Sequence, residues 1–316
     1  MRKLRTSKWF TDLLHRFFER SGLLRQEVRT SKQWRSLKKD WYKFSRNPLS
    51  VIGLVVVAAV IFLALAAPFI VPYPEDAESF QNHLERINTP PSWQFLFGTD
   101  RSGCDIFSRV IFGFRYSLTM AGFILAIVVP PGVVLGLIAG YYVSTWIDTI
   151  IMRITDIFLG VPPLILALAI CSVLPPNILN AMLAVSLMWW PWYTRLLYSL
   201  SSALKNEYFV QAAEIMGAPT HRVIFGEILP NCLAPTLTKI TLDVGWVILI
   251  GASLSYLGLG APAPTPDLGT MVAEGQSFIA TQWWMSIFPA LAIVIIIMGF
   301  NLLGDGIRDM FASEEG

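Results

Sequence analysis

Apolar residues in this chain come in long blocks separated by short polar ones. Residues 49–70 are uncharged and rich in Val, Ile, Leu and Ala. A block of that length crosses a hydrocarbon core of roughly 30 Å as a helix. Residues 116–147 form a second uncharged block. A third, 157–194, is too long for one span, and Pro175-Pro176-Asn177 divides it into two helices with a tight turn between them. Residues 242–259 and 285–303 complete six predicted spans. Gly132, Gly136 and Gly140 recur at four-residue spacing in the second, which bares one helix face for close packing.

Charge orients these blocks. The chain is 54% hydrophobic and 15% charged, where a soluble domain carries about 25% charged residues. With a mean hydropathy of +0.55, this is the composition of an all-α polytopic membrane protein. Of the 24 Lys and Arg, 14 fall within residues 1–46, which places the N-terminus in the cytoplasm. Residues 72–115 begin acidic, and 261–283 contain no Lys or Arg, so both read as external. Asp148, Arg153 and Asp156 mark one cytoplasmic crossing, and Asp305, Arg308 and Asp309 mark the return after the last span. Six transmembrane helices then leave both termini cytoplasmic. The expected organisation is a basic surface segment (1–47), a first span (48–71), an external segment (72–115) and a five-helix core (116–311).

Within the basic segment Trp9, Phe10, Leu13, Leu14, Phe17 and Phe18 recur at helical spacing. An amphipathic helix on anionic lipid and a basic tail held by charge alone both fit that pattern. Membrane lipid is the expected contact, and no nucleic acid is. Ala64-Leu65-Ala66 resembles a signal-peptidase site, but the region before the apolar block is far longer than a signal n-region. In the external segment, Thr99 or Asp100 is placed to cap a short helix, with Arg109 and Arg115 at the membrane boundary.

Several chemistries are excluded. There is no GxxxxGK[ST] phosphate cradle, no HExxH and no GxSxG. His15, His83 and His221 are scattered, and Cys104, Cys171 and Cys232 show no CxxC spacing. No catalytic residue, metal ligand or cofactor is therefore expected in this chain. An ion-driven carrier shows ionisable groups deep in its helices. Asp243 is the one candidate, placed near the inner end of the fifth predicted span, where a structural role is expected. A membrane enzyme would need clustered polar groups near an interface, and none is visible. The chain lacks an energy source of its own. Helix rotation does not follow from the sequence, so a solute path stays unknown; Ser253, Ser255 and Trp189 are nominal candidates only.

Residues 207–231, EYFVQAAEIMGAPTHRVIFGEILPN, mix charge with apolar side chains between membrane spans. Such a segment reads as a docking element. Gly217-Ala218-Pro219 is a turn between two helices, with Gly ending the first and Pro beginning the second. Ala212 and Ala213 keep the first helix thin. Glu207 and Glu214 are placed to meet basic groups, and Ile215, Val223, Ile224 and Phe225 to supply apolar burial.

This segment resembles the EAA loop of ABC-importer permeases: EAA, three residues, Gly, nine residues, I-x-L-P. Ala212, Ala213, Gly217, Leu229 and Pro230 match in spacing; Gln211 stands where Glu is usual and Glu227 where Ile is usual. Gly98, Thr99, Asp100, Asp105 and Arg109 match the GTDxxGRDxxSR segment of the dipeptide, oligopeptide and nickel permease family, with Cys104 in place of Arg. Asp148, Met152-Arg153 and Asp156 fit its D-x3-MR-x2-D pattern, while ASLSYLGLG (252–260) and FNLLGDGIRD (300–309, with Asp305 and Arg308) are similar to two further signatures. The resemblance covers about residues 40–311. It implies an ABC-importer permease fold, in the C-type subunit of dipeptide systems, in a bacterial inner membrane. It also implies a second homologous permease subunit, two cytoplasmic ATPase subunits that bind ATP and Mg, and an external solute-binding protein. The docking residues it implies are Glu207, Ala212, Ala213, Gly217, Pro219, Leu229 and Pro230. The implied solute is a dipeptide or oligopeptide, with nickel chelates and oligosaccharides as alternatives.

Overall fold

The computed structural model describes residues 41–79, 82–175, 177–262 and 264–311. The N-terminal pattern of residues 1–40 lies outside them. Among the described residues the secondary structure is helical, apart from one isolated bridge between Thr99 and Asp105. The main helices are α1 (Pro48–Ile70), α2 (Ile106–Tyr141), α3 (Trp146–Leu159), α4 (Pro163–Val173), α5 (Ile178–Leu204), α6 (Tyr208–Ile215), α7 (Leu229–Tyr256), α8 (Leu268–Gln276) and α9 (Trp284–Phe311).

Their starts follow local chemistry. The Asn47 side chain accepts from Leu49 N and Pro48 leads α1, while Asn177 accepts from Leu179 N at the start of α5. Each satisfies an N–H that the helix itself leaves unpaired. At α2 the cap is Asp105, not Thr99 or Asp100, and no separate helix lies between Asp100 and Asp105. Arg109 and Arg115 therefore belong to the span's own first turns.

Helix directions come from contacts between glycines and their neighbours. A Cβ on Gly132 would lie 2.6 Å from Tyr193 Cβ, on Gly136 2.5 Å from Thr194 O, and on Gly140 2.6 Å from Tyr198 O. α2 and α5 thus run parallel with backbones in near contact, as the glycine spacing predicts. Gly53 packs on the Leu302–Leu303 backbone and Asn47 donates to Asp309, so α1 runs antiparallel to α9. Gly304 meets Leu242, and Gly245 meets Ile297 and Asn301, so α7 is antiparallel to α9. The beginnings of α1 and α7 and the ends of α2, α5 and α9 consequently gather at one end of the bundle.

The third predicted span is corrected. Rather than one helix over 157–174, the chain bends by 83° between α3 and α4, at Gly160 to Pro162. Pro162 has no N–H to donate, and Pro163 disfavours a helical conformation in the residue before it. The bent pair still carries the chain from the end where α2 stops to the end where α5 starts. Among the described residues four helices are long and apolar enough to cross a membrane, or five if the bent pair is one span. α5, at 27 residues, spans about 40 Å but is less apolar, carrying Arg195 with Ser199, Ser201 and Ser202. α7 is continuous with the preceding turns, and the whole helix from Thr220 to Tyr256 covers 37 residues. Asp243 consequently lies about two-thirds of the way along this helix instead of next to its start.

Candidate functional site: the hairpin at one end of the bundle

The hairpin begins where α5 ends. Glu207 stands at the start of α6 without making a side-chain cap. The Gln211 amide supplies a contact that a Glu could not, donating from Nε2 to Asn206 O at 2.9 Å. α6 closes with paired backbone bonds: Ala218 N to Ala213 O at 3.0 Å and Gly217 N to Glu214 O at 2.9 Å. This is the Schellman arrangement, which requires a left-handed residue just past the helix. Gly217 supplies it with φ +81°, and nothing lies within 4 Å of where its Cβ would be. The glycine is required by conformation, not by space. Pro219 follows as the N-cap residue, one position before the second helix, and its carbonyl accepts from Arg222 N and Val223 N.

The second arm widens at Val223–Ile228 into π-type turns, where Leu229 N donates to Ile224 O, and then becomes α7. Pro230, which lacks an N–H, enters at the exit from this widened stretch. The hairpin is thus a short helix packed against the root of a membrane-length one.

Its core is small and distinct. Val210, Ala213, Val223, Ile224, Ile228 and Cys232 pack with Leu137 of α2 and Leu197 of α5. Burying each Val, Ile or Leu is worth about 1.5–3 kcal/mol. Val223 and Ile224 are 0% and 4% exposed, so they hold the hairpin to the bundle instead of facing a partner. Glu214 is likewise engaged, accepting the Tyr141 hydroxyl at 2.6 Å, with Lys205 Nζ 5.4 Å from the centre of that ring. Tyr208, Ile215 and Met216 face outward at 87%, 86% and 81% exposure, joined by Phe209 and Phe225 at about 40%. Ala212 is exposed and Ala213 buried; Leu229 is partly covered and Pro230 exposed.

The other predicted residues fall into separate places. Gly98, Thr99, Asp100, Asp105 and Arg109 come together in a knot at the opposite end. Asp100 accepts from Ser102 N and Cys104 N and pairs with Arg109. Asp105 accepts from Ser108 N and Oγ, while its own N–H donates to Asp76. Trp284 Nε1 donates to Thr99 O and so ties α9 in. Burial, with Asp100 beside it, pushes the Cys104 thiol up to about 12, so it stays protonated. Asp148 accepts from Ser144 N, Arg153 is exposed, and Asp156 pairs with Arg195 of α5. Asp305 and Arg308 are exposed on the last turns of α9.

Two nominal path residues point inward. Ser255 is buried and donates to Asp267, which caps α8. Trp189 is buried and donates to Asp243 at 3.0 Å; Lys239 pairs with the same carboxylate from one turn away. The Ser253 hydroxyl donates to Leu249 O in its own helix. Lys239 was missed by sequence reasoning, although its i,i+4 spacing to Asp243 was legible.

The chain matches the family described as binding-protein-dependent transport system inner membrane component over residues 132–314. Residues 33–91 match the N-terminal TM domain of oligopeptide transport permease C. The chain is 39% identical over 276 residues to the dipeptide transport system permease protein DppC of Alkalihalophilus pseudofirmus, covering 87% of this chain and 88% of the relative. It is 41% identical over 279 residues to the Escherichia coli dipeptide transport system permease protein DppC, covering 86% and 91%. The glutathione transport system permease protein GsiD of Pectobacterium atrosepticum is 36% identical over 284 residues, covering 90% and 91%. The chain therefore belongs to the binding-protein-dependent transport system inner membrane component family, and it is a multi-pass inner-membrane transport permease.

Proposed function

We propose that this chain is one of two permease subunits of an ATP-driven importer of dipeptides or short oligopeptides. Six crossings with both termini cytoplasmic are supported by the helix directions, with α1, the bent pair and α7 running one way and α2, α5 and α9 the other. A second related permease completes the path. Two cytoplasmic ATPase subunits bind ATP and Mg and carry out the hydrolysis, and an external binding protein delivers the solute. The peptide substrate is supported by relatives named for dipeptide and glutathione transport.

One observation carries the reading: a rigid hairpin at the end where the bundle's termini gather turns Tyr208, Ile215 and Met216 outward over a root buried against α2 and α5. Exposed apolar side chains of this size on a fixed frame mark a protein contact. When the ATPases close on ATP they shift α6, and α7 and α5 tilt with it.

The test is copurification followed by coupling. The chain is expected to bring ATPase subunits with it from the membrane. Gly217→Trp is expected to insert normally, leave the complex detectable and abolish solute-stimulated ATP hydrolysis. Normal coupling in that variant, or transport by the chain alone in liposomes without ATP, would overturn the proposal.

A further inference from the structure

At the end opposite the hairpin lies a cleft of about 400 Å³, a volume in the range of small-ligand sites. One wall is a single face of α2, because Phe112, Arg115, Tyr116 and Thr119 recur at helical spacing. A second wall is made by Ala77 and Glu78, the last two residues of the turn Glu75–Glu78, and Pro264, Thr265 and Pro266 line a third side. The cleft thus carries one carboxylate and one guanidinium. Among the described residues neither side chain makes a hydrogen bond or an ion pair, although both border the same space. No Arg115 nitrogen lies within 4.0 Å of a Glu78 carboxylate oxygen. A ligand that satisfied both would carry an ammonium and an anion held apart by a short spacer.

We propose that this cleft binds a small zwitterion, a free dipeptide, with Glu78 taking the ammonium and Arg115 the carboxylate. The guanidinium fork matches a carboxylate in a paired, planar contact. The Tyr116 hydroxyl is placed to reach the peptide group, the Thr119 hydroxyl, which donates to Arg115 O, can still accept from it, and Phe112 and Pro266 offer apolar surface for a side chain. The choice of a dipeptide rests on the importer reading above; the demand for a zwitterion rests on the cleft alone.

The test uses the assembled transporter in phosphatidylglycerol nanodiscs. A Thr119→Cys substitution puts a thiol in the cleft, and the three native cysteines of this chain are buried, so maleimide label read on this chain after separation from the other subunits reports on that position. L-Alanyl-L-alanine is expected to slow labelling several-fold. Its N-acetyl and C-terminal amide forms, each lacking one charge, should need about tenfold higher concentration. Glu78→Gln should erase the preference over the N-acetyl form, and Arg115→Gln the preference over the amide, while Glu75→Gln outside the cleft changes neither. Should a charge variant fail to assemble, the analogue comparison on the otherwise native chain still decides. Unslowed labelling, or equal protection by all three compounds, would overturn the site. With phosphatidylethanolamine in the nanodisc, slow labelling before any dipeptide is added would assign the cleft to lipid headgroups and overturn the dipeptide. Dipeptide uptake is measured separately: protection without uptake overturns the importer reading and leaves the site standing, and uptake without protection overturns the site.

Discussion

The knot around Thr99–Arg109 and the hairpin around Gly217 carry comparable numbers of motif residues and treat them in opposite ways. In the knot, Thr99, Asp100, Asp105 and Arg109 are all under 9% exposed, and their polar atoms are largely consumed within the chain. In the hairpin, the buried residues are mainly apolar, and Glu207, Ile215, Met216 and Pro219 face outward. The knot therefore acts as architecture, binding the start of α2 to the segment before it and to Trp284 of α9. The hairpin acts as a surface on a frame. A motif alone does not separate these roles, whereas burial and hydrogen-bond satisfaction do.

That contrast can be broken or sharpened in order of size. Arg109→Ala strands the buried Asp100 carboxylate and should cost about 3–5 kcal/mol, read as a large fall in thermal stability in detergent. An unchanged melting temperature would show that the knot is not structural. Gln211→Glu removes the donor to Asn206 O and should cost about 1 kcal/mol, seen as faster backbone amide exchange in α6 with the bundle unaffected. Exchange that stays at the native rate would mean that the amide contributes nothing to the hairpin's frame. Ile215→Ser should change stability by no more than about 0.5 kcal/mol while weakening copurification of the ATPases. Retained copurification would move the docking surface away from α6.

The smallest expected effect is a pH slope. Burial pushes the Asp105 and Asp267 carboxyls above the ordinary carboxylate range, against the hydrogen bonds that each accepts. The folded chain holds these protons more tightly than the unfolded one. Their contribution is complete below the ordinary carboxylate pKa and is lost as pH rises through the folded value. Melting temperature should therefore rise slightly as pH falls from 7 toward that range, and Asp267→Asn should flatten part of the slope. A slope of opposite sign would show that other groups dominate.

Much of the fold was legible one residue at a time. The apolar blocks, the 132–136–140 glycine face and the turn at Gly217 followed from block length, spacing and the φ that only glycine takes readily. The break before α4 was hidden because block length was weighed and Pro162-Pro163 was not. The helix that carries Asp243 begins well before Leu242, because the charge at Lys239 cuts the apolar block short without ending the helix. Val223 and Ile224 looked available to a partner because amphipathic spacing identifies an apolar face without saying what covers it.

The sequence by itself determined that this chain crosses a membrane repeatedly, that it contains no GxxxxGK[ST], HExxH or GxSxG pattern, and that it ends a short helix at Gly217 beside a membrane-length one. Those properties are local: transfer energy summed over a window, a motif, a backbone preference. Only the tertiary structure decided that Asp100 belongs to Arg109, that Trp189 belongs to Asp243, that Ser255 serves Asp267, and which hairpin side chains remain outside. Each of those pairings joins residues of different elements, Trp189 and Asp243 across 54 positions, and each partner's burial is set by how helices rotate against one another, which no single helix encodes.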